Sequence, residues 1–306
     1  MRLWIDSDMG FDDLWAILTI GSLGIRIDGL SLVAGNAALP QVVRNACTAA
    51  RAFDWDFPIF EGAESALLGG KVTAERILGA TGIRSREKAL DDKSTGCAQP
   101  GAFEAIREWI ESRSGSILLA LGPLTNIAAV VGASPELAKR IERVVWMGGS
   151  VRQGNHTPSA EFNAFVDPEA AATLLSAQVD MTIVDLEICR NVRFGESDVR
   201  HVSGMGGRNA ALLADLARGY LDIGLERGRD SMAIYDPVAA VALARPGLFG
   251  FVESSVEIVL SGSKRGQTIV NAVLPGEKAN AKIAVDADHE AIRRVCVDTL
   301  LREGKR

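Results

Sequence analysis

Two hydrophobic periods alternate along the chain. Short unbroken apolar runs, among them Leu3-Trp4-Ile5, Ile117-Leu118-Leu119-Ala120-Leu121 and Val144-Val145-Trp146-Met147, are separated by stretches in which apolar residues recur every three or four positions. The first pattern predicts buried strands and the second predicts helices with one apolar face. Strands are predicted at the N-terminus and over residues 27–34, 57–60, 116–121, 143–147 and 181–186. Helices are predicted after the first strand, over 39–53 and 102–112, after the turn at 122–126, from 167 onward, and over 209–227 and 236–244. Strands over 251–260 and 268–273 and a helix over 289–302 close the chain. Pro40 and Pro168 stand in the first turns of their helices, where a missing N–H costs nothing. Residues 61–99 are irregular, with a charged stretch at 84–93, and so long a segment in a compact domain is a functional loop or a disordered one.

Strand and helix alternate through the first two-thirds of the chain. This predicts the α/β class, an open, mostly parallel sheet flanked by helices, with the late strands as an added part open to antiparallel pairing. No repeat or linker divides the chain, so residues 1–306 are expected to form a single domain.

Polar residues break the apolar pattern most densely just after the first strand, in Asp6-Ser7-Asp8-Met9-Gly10-Phe11-Asp12-Asp13. The order is strand, tight turn, helix, so the aspartates stand at the C-terminal edge of the sheet, where open α/β sheets bind ligands. Asp12 and Asp13 alone read as ordinary helix-start residues. Four carboxylates within eight residues, however, repel one another and must either disperse into water or share a cation. The whole run directly after a strand points to the cation.

Composition narrows the partners. The chain has 306 residues, 47% hydrophobic and 24% charged, enough for a large core. Its formal net charge is −6 and no long basic stretch is present, which argues against a nucleic-acid partner. No apolar run is long enough for a membrane span, and the N-terminus lacks a secretory pattern. Cys47, Cys97, Cys189 and Cys296 are widely spaced, so they are expected as free thiols in a reducing, cytoplasmic setting.

The loops after the predicted strands supply Asp8, Asp12, Asp13, Asn36, Leu121-Gly122, Asn126, Met147, Asn155, Glu161, Asn163 and Asp236, with almost no Lys or Arg. Amides and carboxylates suit a neutral polyol, because together they donate to and accept from hydroxyls. No phosphate-cradling glycine loop is present, so a phosphorylated substrate is disfavoured. Oxygen donors and only three His favour a hard metal. Without substrate phosphates to complete the shell, Ca²⁺ fits better than Mg²⁺. Beside such an ion a water becomes more acidic, and a nearby carboxylate can take its proton.

These residues carry a resemblance. Asp6-Ser-Asp8-Met-Gly10-Phe-Asp12-Asp13, Gly35-Asn36, Leu121-Gly-Pro-Leu-Thr-Asn126, Met147-Gly-Gly149, Gly154-Asn155 with Ala160-Glu161-Phe162-Asn163, Asp167-Pro-Glu-Ala170 and Tyr235-Asp236-Pro237 occur in the order of the inosine–uridine-type nucleoside hydrolases. Arg265-Gly-Gln-Thr268 is similar to a late segment of that family. The resemblance implies a Rossmann-like fold and hydrolysis of the N-glycosidic bond of ribonucleosides to base and ribose. By position, Asp8 resembles the general base that activates a Ca²⁺-bound water. Asp8, Asp13, Asp236 and the backbone carbonyl of Leu121 resemble the metal ligands. Asp12, Asn36 and Asn163 resemble ribose hydroxyl partners, Asn155 and Glu161 lie towards the 5′ end, and Met147 packs against the sugar. Asp6 stands behind them. A homodimer or homotetramer is implied as well.

Two positions depart from the family pattern. Relatives acting on both inosine and uridine carry a His before the last metal Asp, where this chain has Tyr235, and a second in the glycine-rich loop, where it has Leu78. His156, His201 and His289 match neither position. Tyr235 is expected against the base, by stacking or through its hydroxyl. A riboside-binding protein with little turnover is the alternative reading. A phosphohydrolase using Asp6 and Asp8 is disfavoured by the lack of a basic phosphate ligand.

Overall fold

The computed structural model describes residues 2–86, 96–112 and 114–306. From residue 87 to its end at 93, the charged stretch noted in the sequence lies outside them. The strands among the described residues are β1 (Arg2–Ser7), β2 (Arg26–Leu32), β3 (Ile59–Glu61), β4 (Ala98–Pro100), β5 (Ser116–Ala120), β6 (Ile141–Met147), β7 (Met181–Val184), β8 (Arg193–Gly195), β9 (Ser231–Ala233), β10 (Phe249–Ile258), β11 (Thr268–Ala272) and β12 (Ala281–Ala287). The α-helices are α1 (Phe11–Ser22), α2 (Leu39–Ala52), α3 (Glu75–Leu78), α4 (Ala102–Glu111), α5 (Thr125–Ala133), α6 (Phe162–Val166), α7 (Pro168–Ser176), α8 (Leu186–Asn191), α9 (Glu196–Ser203), α10 (Ala210–Leu225), α11 (Asp236–Ala244) and α12 (His289–Lys305).

Ten strands form one sheet in the order β11-β10-β12-β7-β6-β5-β1-β2-β3-β4. From β12 to β4 every neighbouring pair is parallel, while β10 runs antiparallel to both β12 and β11. Alternate strand residues feed opposite cores: Leu3, Ile5, Leu119 and Val145 join one apolar layer, and Trp4, Leu118, Val144 and Trp146 join the other. Helices on both faces explain why these strands read as unbroken apolar runs. The chain lays β2, β3 and β4 outward on one side of β1, then resumes with β5, β6 and β7 on the other. The order therefore reverses between β1 and β5, and the crevice above their C-terminal ends is the place such sheets bind ligands.

The late strands β10 and β11 pair antiparallel, in keeping with the added part expected, and a strand the sequence did not show, β12, joins them to the sheet by pairing parallel with β7 and antiparallel with β10. That strand was missed because Lys282 and Asp286 interrupt its apolar residues. Cys47 and Cys97 are not free thiols: they form a disulfide, with Cα atoms 5.4 Å apart. Packing of α2 beside the lead-in to β4 brings together two cysteines 50 residues apart, which spacing alone cannot reveal. The cysteine argument for a reducing compartment lapses with it. Cys189 and Cys296 are buried thiols. Among the described residues no helix is long and apolar enough to cross a membrane.

Candidate active site

The end of β1 builds the floor of a cavity of about 760 Å³. Met9 takes a left-handed backbone (φ 47°), which turns the chain sharply from β1 into α1. Ser7 Oγ donates to Asp13 Oδ1 at 2.6 Å, and the Gly10 N–H donates to Asp13 Oδ2 at 2.8 Å. Asp13 thus closes the first turn of α1 from its third position, as an acid there does. The loop after β2 then comes in from the side. Its Asn36 N–H donates to Asp8 Oδ2 at 2.8 Å, and Asn36 Nδ2 donates to Asp8 Oδ1 at 2.9 Å and to Asp13 Oδ2 at 3.1 Å. Only glycine permits this approach: a Cβ on Gly35 would fall on the Asp8 carboxylate, and one on Gly10 would press against Asn36 Nδ2.

One oxygen each of Asp12, Asp13 and Asp236 lies within 4.8 Å of the others. Asp8 reaches the same group, since it interacts directly with Asp13. Burial, followed by the repulsion of neighbouring aspartates, holds Asp8 and Asp236 well above the usual carboxylate range and pushes Asp12 up to about 7. Asp6, behind the floor, is also pushed up to about 7 by burial. Its Oδ1 accepts from Ser31 Oγ and from Asn126 Nδ2, while its Oδ2 has no partner among the described residues. No Lys or Arg among them pairs with Asp8, Asp12, Asp13 or Asp236. Crowded, buried, oxygen-only donors without a cation fit a hard metal ion.

The polar side residues are pinned by their own bonds. Asn163 Nδ2 donates to the carbonyls of Leu121 (2.9 Å) and Met147 (3.0 Å), which ties the ends of β5 and β6 together and leaves Asn163 Oδ1 as an acceptor. The Leu121 carbonyl keeps a second lone pair. Glu161 accepts from the N–H groups of Gly149, Asn163 and Ala164, so it caps α6 and anchors the loop; burial nonetheless pushes it up to about 7. Asn155 Oδ1 accepts from the Phe162 N–H at 2.9 Å. At the start of α11 Tyr235 occupies the cap position without a side-chain cap bond, and the Asp236 carboxylate turns to the other aspartates.

Of the eleven residues singled out in the sequence, Asp8, Asp12, Asn36, Leu121, Met147, Asn155, Glu161, Asn163, Tyr235 and Asp236 line the cavity, and Asp13 lies buried beneath it. Asn126, noted in the sequence only as an edge amide, holds Asp6 and the Leu32 carbonyl while accepting from the Ala63 N–H. The larger miss is at the mouth. Arg84, Arg152, Arg190, Arg227 and Arg229 all line it, contrary to the expectation of a site almost without cations. Arg84, Arg152, Arg227 and Arg229 sit on loops and Arg190 on α8, none of which a strand-end pattern marks. Arg190 pairs with Glu187 and donates to the Gly154 carbonyl, and Arg84 pairs with Glu226. Tyr235 stands beside them: burial pushes its hydroxyl up, while Arg229 and Arg190 pull the other way. His156 lines the cavity against the rings of Phe162 and Phe165, and burial lowers it.

A mostly parallel sheet with helices on both faces and an oxygen-lined crevice at its switch point is an α/β protein with its candidate site at the strand ends. The sequence comparison makes the class particular. Residues 3–294 match the family model described as inosine-uridine preferring nucleoside hydrolase, and the chain belongs to that family. It is 33% identical to a probable uridine nucleosidase 2 of Oryza sativa subsp. japonica, over 87% of this chain and 81% of the relative. It is 29% identical to the pyrimidine-specific ribonucleoside hydrolase RihA of Escherichia coli (strain SMS-3-5 / SECEC), over 98% of each. A solved plant nucleoside hydrolase, PpNRh1, superposes with a TM-score of 0.88 at 26% identity, covering 98% of each chain. A purine-preferring ribonucleoside hydrolase from Gardnerella vaginalis has the same fold, with a TM-score of 0.92 at 23% identity over 100% of this chain and 99% of that one.

Proposed function

We propose that this protein hydrolyses the N-glycosidic bond of ribonucleosides, with Asp8 as the general base and Ca²⁺ as the resident ion. The carrying observation is the buried aspartate floor in a chain of this family. Asp8, Asp13, Asp236 and the Leu121 carbonyl are the ligand set of this reading, and Asp12 is close enough to share in it. When bound, the ion supplies the charge that the crowded carboxylates need and makes an adjacent water more acidic.

The residues around it do the rest. Asn36 fixes both oxygens of Asp8, so the base meets the attacking water in one orientation. Asp12, Asn36 Oδ1 and Asn163 Oδ1 accept from ribose hydroxyls, Met147 packs on the sugar, and Asn155 and Glu161 lie at the 5′ end. Asp8 takes a proton from the water as it attacks C1′. Positive charge develops on the ring, and the surrounding carboxylates favour it. Tyr235 faces the base. Assembly as a homodimer or homotetramer accompanies this reading and is checked by light scattering.

The test is release of free base and reducing sugar from uridine, cytidine, inosine and adenosine by the metal-replete protein. Turnover of at least one is expected. Tight nucleoside binding without hydrolysis would replace the enzyme reading with a binding one.

A further inference from the structure

We propose that the arginines at the cavity mouth, led by Arg229, stabilise the base as it departs as an anion. The inference rests on the nucleoside hydrolase reading above.

It starts from what the mouth contains. The two positions where the family resemblance implies a histidine hold Tyr235 and Leu78, and both line the cavity. His201 and His289 do not line it, and His156 packs on Phe162 and Phe165. Cations gather there instead. Arg84 and Arg190 are spoken for by Glu226 and Glu187, but among the described residues no carboxylate pairs with Arg152, Arg227 or Arg229. The turn after α10 is closed by the N–H groups of Arg227 and Arg229, which both donate to the Gly224 carbonyl at 3.0 and 3.1 Å. It places Arg229 on the wall that also carries Ile223, Met232 and Tyr235.

The cavity is therefore polarised, with carboxylates at the floor and guanidinium groups at the mouth. Cleavage separates charge in the same sense. The C1′–N bond breaks, its electron pair goes to the ring nitrogen, and the sugar becomes positive beside the floor. Water adds at C1′ and gives one proton to Asp8, which returns it to solvent. The base leaves as an anion and takes a proton from solvent after release, so neutral base and ribose are the products. A guanidinium meets a carbonyl-bearing anion with paired N–H donors, and it stabilises that state more than the neutral nucleoside.

The experiment compares kcat/KM for uridine and for p-nitrophenyl riboside in wild type, Arg229→Gln and Arg229→Lys. The p-nitrophenolate group already holds its charge well and needs less help. In Arg229→Gln, uridine hydrolysis is expected to fall about 30-fold and p-nitrophenyl riboside about threefold, below a full oxyanion-hole loss because the site is open to solvent. Arg229→Lys should recover part of the uridine loss. Raising ionic strength from roughly 0.01 to 0.15 M should slow uridine more than p-nitrophenyl riboside. Equal losses on both substrates, or a uridine rate indifferent to Arg229→Gln, would overturn the proposal while leaving the hydrolase reading intact. A wild-type protein that cleaves neither substrate would overturn both.

Discussion

At the floor of the cavity Asp8, Asp13 and Asp236 are buried, and Asp8 and Asp13 are held by hydrogen bonds from their own and neighbouring loops. At the mouth Arg152, Arg227 and Arg229 are exposed on loops, with no carboxylate partner among the described residues. The two regions are fixed by different physics. The floor is preorganised by strand ends, a helix start and glycines that let backbones touch carboxylates, so small displacements there are costly. The mouth is held by few contacts of its own, and the charge it offers is weakened by solvent and salt. On the proposed reading the floor governs whether the reaction occurs, and the mouth tunes which riboside reacts fastest.

Substitutions at the floor should break the site most. Asp8→Asn keeps the shape and one of the two Asn36 hydrogen bonds but removes the base; kcat should fall by about 10³, with the circular dichroism spectrum unchanged. Gly35→Ala forces the Asp8 carboxylate aside without altering any reacting group. A displacement of that kind should cost on the order of 10²-fold in kcat, measured against unchanged thermal stability in the presence of Ca²⁺. Asp236→Asn removes one charge from the ligand set and should weaken Ca²⁺ binding by at least about tenfold in a calorimetric titration.

The smallest effect is on stability, and its sign follows from burial. Asp12 is pushed up to about 7. The unfolded value is about 4, so between these limits the native metal-free protein binds more protons than the unfolded chain. Its stability is then greatest at the acidic end and declines as pH rises through about 7. Ca²⁺ competes with those protons. The rise in thermal midpoint caused by saturating Ca²⁺ should therefore grow from about pH 5 to about pH 8. A rise independent of pH would contradict a carboxylate-held ion.

The same contrast explains what could be read from the chain. The parallel sheet showed in the apolar runs because both its faces are buried, and the floor showed because its aspartates crowd into one turn after a strand. Asn36, Asn163 and Asp236 became legible through the order of their motifs, not through local chemistry. The Cys47–Cys97 bond, the strand β12 and the arginine mouth did not show. Each depends on segments distant in sequence coming together, and an isolated arginine in a loop is indistinguishable from a solvated one. Even at the floor, the sequence could not tell that Glu161 spends both oxygens on backbone N–H groups.

The most direct test of the account is p-nitrophenyl riboside hydrolysis by wild type and Asp8→Ala, with added Ca²⁺ and again after chelation. This leaving group isolates the floor from the mouth. Turnover is expected that chelation abolishes, that Ca²⁺ restores, and that Asp8→Ala lacks under every condition. Turnover that survives either chelation or Asp8→Ala would contradict it.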